Sequence, residues 1–115
     1  MAIKGWRRGA ASVDDFERRR LRRHYEEVAP LAIAAMPLRR PVRVAGEVTR
    51  HRVVPRAGSP WLEVVVSDGT GEVVAAFAGR RSIGGLAPGR GVVLEGVAHA
   101  NERRTVIFNP AYTLL

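Results

Sequence analysis

Apolar and polar side chains alternate through most of the chain from Pro41 onward. Val42, Val44, Gly46 and Val48 occupy every second position, as do Leu62, Val64 and Val66, and then Val73, Ala75 and Phe77. A period of two marks strands with one face buried and the other free. Between the second and third runs stands Asp68-Gly69-Thr70-Gly71, whose Asp-Gly and Thr-Gly pairs supply the positive-φ positions of a hairpin turn or glycine bulge. One apolar face on this hairpin specifies its register. Val92, Leu94, Gly96 and Ala98 repeat the pattern in a fourth strand. A turn over Asn101 to Arg104 then leads into a fifth through Thr105 and Ile107, closed by Asn109-Pro110. Gly46 and Gly96 mark bulges or bends. Arg80 to Leu86 form a short connection, followed by a Pro88-Gly89 turn.

The first 40 residues read differently, which divides the chain into a basic helix and linker (1–40) and a β domain (41–115). Ser12 or Asp14 predicts a helix start, with Asp14, Asp15 and Glu17 suited to the helix N-terminus and the end near Val28. Val13, Phe16, Leu21, Tyr25 and Val28 share one broad face. The run Arg18-Arg19-Arg20-Leu21-Arg22-Arg23 wraps around the helix, and Pro30 to Met36 adds one short turn.

Five short antiparallel strands with glycine bends, and a longer connection between the third and fourth, describe a mainly β protein. The expected architecture is a five-stranded antiparallel barrel of the OB type with a short N-terminal α-helix. If the residues above face inward, Val93, Val97, Val106 and Phe108 face outward and form one apolar patch that needs cover. The helix, through Phe16, Leu21 and Tyr25, is one candidate; a second copy or a protein partner is the other.

Charge narrows the partner. Lys and Arg number 19 against 11 Asp and Glu, giving +8, which favours polyanions. Only Lys4 is lysine, an arginine bias that a GC-rich genome also produces. The chain has no cysteine, which excludes disulfides and thiolate metal sites and fits a reducing cytoplasm. His24, His51 and His99 share no ligand spacing, so no metal is expected. The longest apolar stretch, Val28 to Leu38, falls short of the roughly 20 residues that span a bilayer. No phosphate loop or serine–histidine–acid grouping appears, so no enzyme is expected.

Val44-Ala45-Gly46-Glu47-Val48, Leu62 to Gly71, Leu86-Ala87-Pro88-Gly89, Glu95-Gly96 and Asn109-Pro110-Ala111-Tyr112 together resemble the wedge OB domain of RecG-type branched-DNA helicases. More closely, and over nearly the whole chain, the sequence resembles the stand-alone OB-fold nucleic-acid-binding proteins of GC-rich bacteria. The resemblance implies single-stranded or junction DNA as ligand, with DNA favoured over RNA, and no cofactor. It carries no helicase motor.

OB barrels bind strands across strands two and three, between the loops joining strands one to two and four to five. Here the first loop holds Arg50, Arg52, Arg56 and a mobile Ala57-Gly58-Ser59-Pro60, and the second holds Asn101, Arg103 and Arg104. Arg43, Arg80 and Arg81 add charge nearby. Glu63, Val65, Ser67, Glu72, Val74 and Ala76 fall on the binding face, and none is aromatic. Trp61 is the stacking candidate, while Phe77 falls on the inward phase and Trp6 lies beside Arg7-Arg8. Binding is expected to be salt-sensitive and largely independent of sequence, with ~4–6 phosphates contacted and a log–log salt slope near −3 to −4. The alternative is a protein-interaction module using the Val93, Val97, Val106 and Phe108 patch.

Overall fold

The computed structural model describes the backbone of residues 2–115 and the side chains of residues 13–115; Trp6 and Lys4 therefore lie outside the described side chains. Helix α1 (Ala2–Glu26) is followed by a 3₁₀ turn (Ile33–Ala35) and strands β1 (Pro41–Arg56), β2 (Ser59–Ser67), β3 (Glu72–Ala78), β4 (Gly91–Asn101), β5 (Arg104–Phe108) and β6 (Ala111–Leu114). The helix ends close to where the pattern stops, but it begins well upstream of Ser12 and Asp14. Neither residue is its cap.

The strands run β1-β2-β3-β5-β4, and β1 returns to pair with β4, so five strands close into a ring. β6 adds to β4 outside that ring, a strand the pattern did not predict. One further expectation fails. The sheet is mixed, because β5 lies parallel to β3, with Val74, Ala75 and Ala76 opposite Val106, Ile107 and Phe108. Hairpins dictate antiparallel neighbours within β1–β2, β2–β3 and β4–β5. The β3–β5 closure joins strands that no hairpin links, and local signals are silent on its direction.

The inward phase holds through the first four predicted strands and at Ile107 of the fifth, whereas Thr105 lines the outer groove. Val44, Val48, Leu62, Val64, Val66, Val73, Ala75, Phe77, Val92, Leu94, Ala98 and Ile107 make one core. Ile33 enters it from the N-terminal segment, and Ile83 and Leu86 enter from the β3–β4 connection. Gly46 is not a bulge: the register slips at Val48/Arg50 instead. At Gly46 a Cβ would sit 2.5 Å from the Ser67 carbonyl oxygen, so glycine is required by close strand approach.

The helix covers the outer side of β1 and β4. Tyr25 and Ala29 bury against Ala45 and Val93, with Leu21 and Val28 alongside. Phe16 does not take part and is 66% exposed. The proposed outer patch is thereby divided. Val93 lies under the helix, Val106 and Phe108 join Val65, Val74, Ala76 and Trp61 in a separate cluster, and Val97 remains partly exposed. The reason is that β5 pairs with β3 and with only the last residues of β4 (98–101), so Val106 and Phe108 lie beside Val74 and Ala76, whereas Val93 lies between β1 and β6.

A polar latch holds the N-terminal segment in place. Asp68, fully buried, accepts hydrogen bonds from Arg22 Nη1 (3.0 Å), the Ile33 amide (3.0 Å), the Thr70 amide (2.9 Å) and the Thr70 hydroxyl (2.6 Å). Arg22 Nη2 also donates to the Pro30 carbonyl at 2.6 Å. Thr70 Oγ1 in turn accepts from the Ala34 amide. Among the described residues no helix is long and apolar enough to cross a membrane.

Candidate nucleic-acid interface

The basic segment between the first two strands is not a loop. β1 continues through Arg56, turns at Ala57-Gly58 and returns as β2, pairing Arg56 with Ser59, Val54 with Trp61 and Arg52 with Glu63. The second basic hairpin turns at Glu102-Arg103, with Asn101 opposite Arg104. Arg50, Arg52, Arg103 and Arg104 from the two hairpins line one groove of about 530 Å³. Its other walls include Glu63, Val65, Glu72 and Val74 on the outer face of β2 and β3, together with His51 and Thr105. Leaving His51 aside, four guanidiniums face two carboxylates, an excess of two positive charges.

Glu63 organises this charge. Its carboxylate, 2% exposed, accepts Arg104 Nη1 at 2.8 Å and Nη2 at 3.1 Å, and Arg52 Nε at 3.1 Å. The hydrogen bond from Arg104 is the main cause that lowers the Glu63 pKa; burial opposes it, and Arg52 reinforces it. The same pair raises the pKa of Arg104. A two-pronged arginine–carboxylate contact is among the stronger polar interactions and fixes the guanidinium plane. Arg52 uses only Nε here, so its two terminal nitrogens remain available, and its side chain is 67% exposed. Arg50 reaches Glu72 at 3.5 Å, a weak exposed pair. Arg103 is exposed and has no ion-pair partner among the described residues.

The remaining predicted residues fall elsewhere. Arg56 and Trp61 adjoin the groove without lining it and contact one another, the Arg56 guanidinium carbon lying 5.5 Å from the indole centre. Arg43 is turned to the helix: Nη1 donates to the Val28 carbonyl, and Nε lies 3.9 Å from Glu95. It ties β1 to the turn that follows α1, since Val28 lies just past the last helical residue, Glu26. Arg80 and Arg81 are exposed in the connection after β3 and do not line the groove. Among the described residues no cluster of metal-ligating side chains exists.

Alternation had placed Glu63 on this face but could not show that it is buried. A signal did exist in the β1–β2 hairpin: counting back from a turn at Ala57-Gly58 puts Arg52 opposite Glu63. Phe108 was missed as a neighbour of Trp61 for lack of the parallel β3–β5 pairing. Compared with protein-family models and with curated proteins, the chain matches none.

Proposed function

We propose that the chain is a nucleic-acid-binding module, built on an OB-type barrel, that holds unpaired or junction DNA by its backbone with little sequence preference. The observation that carries this reading is the convergence of Arg50, Arg52, Arg103 and Arg104 on one groove across β2 and β3. Two flanking hairpins around that face are the arrangement in which OB barrels seat oligonucleotides. Apolar Val65 and Val74 on the floor, with cations on the walls, suit a chain of bases bearing phosphates. The resemblance to the wedge domain of branched-DNA helicases points the same way. The proposed role is binding alone, and a reducing cytoplasm is its proposed setting.

Fluorescence anisotropy with labelled single-stranded, duplex and forked oligonucleotides at two salt concentrations tests this. Single-stranded and forked ligands should bind at low salt and release as salt rises. Replacing Arg50 and Arg103 by Gln should weaken binding several-fold and leave the fold unchanged by circular dichroism, because neither residue holds the buried Glu63. Absence of binding at low salt, or binding indifferent to salt, would refute the reading.

A further inference from the structure

Beyond the groove, where β2 begins and β5 ends, two aromatic rings and a guanidinium meet. Trp61 and Phe108 stand edge to face with centroids 5.9 Å apart and planes at 89°. Arg56 places its guanidinium carbon 5.5 Å from each ring centre. His99 lies 6.2 Å from Phe108 at a tilt. The cluster shares the groove's face of the ring: Trp61 is two residues from Glu63 on β2, and Phe108 is two residues from Val106 on β5. Val65, Val74, Ala76 and Val106 form a continuous apolar floor with the two rings.

We propose that Arg56, Trp61 and Phe108 form a subsite for one unpaired nucleobase, the base stacking on an aromatic face while the adjoining phosphates run into the arginine groove. This rests on the nucleic-acid reading above and adds the group recognised. Three observations support it. First, Arg56 has no ion-pair partner among the described residues, so its charge is free for a phosphate. A guanidinium lying on a ring is also a planar surface on which a base can stack. Second, both rings are only partly buried, unlike the floor beside them. Third, the platform is held rigidly. Next to Phe108, the Asn109 amide donates to the Ala76 carbonyl at 2.7 Å, and the Ala78 amide donates to Asn109 Oδ1 at 2.9 Å. A preorganised platform loses less entropy when it binds. Bases inside a duplex are already stacked, so this subsite selects single-stranded segments.

Trp61 reports on the subsite directly once the chain's other tryptophan is silenced by Trp6→Phe. Oligothymidylate should quench Trp61 emission. An abasic strand of equal length should bind roughly ten-fold more weakly, the loss expected for one stacked base, and leave the emission unchanged. Phe108→Leu, which keeps an apolar side chain, should bring oligothymidylate affinity toward that of the abasic strand without altering abasic binding. Equal affinity for both strands, or quenching by both, would overturn the subsite while leaving the groove reading intact. Failure of both strands to bind at low salt would overturn both.

Discussion

A carboxylate shut off from solvent must be matched by donors, and Asp68 has four hydrogen bonds from Arg22, Ile33 and Thr70. Burial on its own would raise its pKa. The hydroxyl and amide of Thr70, the Ile33 amide and the Arg22 charge outweigh that effect, and the net shift is downward. Stability linked to a depressed carboxylate is fully present above the unfolded-state value, about 3.9, and is lost as pH falls through the lower folded-state value. Asp68→Asn leaves Arg22 without its anionic partner and places an amide against donors. The expected cost is about 2–4 kcal/mol at neutral pH, read from urea unfolding. The gap between wild type and variant should stay constant from neutral pH down to about pH 5 and narrow below about pH 4. A variant within about 0.5 kcal/mol of wild type would show that the latch adds nothing.

At the scale of elements, the helix rests on the ring through small residues. A Cβ on Gly69 would fall well inside contact distance of the Arg18 carbonyl oxygen, and Gly69 has φ of 89°. Gly69→Ala is therefore strained twice, by conformation and by the approaching helix. The ring has its own core, whereas the helix is held by a small cluster around Tyr25 and by the Asp68 latch. The variant should release the helix before the ring. Amides from Arg18 to Val28 should exchange at least ten-fold faster with deuterium, while those of β2 and β3 keep their protection. The contrast between helix and ring also explains what was legible in the sequence. Period-two alternation exposed most inward positions of β1 to β5, Thr105 on the groove being an exception, because a strand's inside and outside depend only on its own neighbours. The Asp-Gly and Thr-Gly pairs marked the β2–β3 turn for the same reason. The parallel β3–β5 closure, β6 and the split of the outer patch depend on pairings between distant segments. The candidate site was half legible for the same cause: the basic hairpins could be read, but the burial of Glu63 and the diversion of Arg43 to the turn after the helix could not.

Across the whole molecule, net charge is a poor guide to what the ligand meets. The chain carries +8, yet Arg43 holds the turn after α1, Arg22 serves the latch, and Arg52 and Arg104 share the carboxylate of Glu63. On the proposed reading the two carboxylates would stay in the groove beside a bound strand, so fewer phosphates would be neutralised than the arginines alone suggest. A single-strand salt slope of about −2 to −3 follows, shallower than a count of basic residues implies. Glu63→Gln tests this balance. Removing one negative charge from the floor should tighten oligothymidylate binding about three- to ten-fold at low salt and steepen the slope by about 0.7. The same change weakens the bridge between the two hairpins, costing about 1–3 kcal/mol of folding stability. Binding and stability should thus move in opposite directions, as expected where a site gives up affinity to keep its cations in place. Anisotropy across a salt series, paired with urea unfolding, reads both. If affinity falls together with stability, the orientation that Glu63 imposes on Arg52 and Arg104 outweighs its charge, and the groove binds by geometry before it binds by potential.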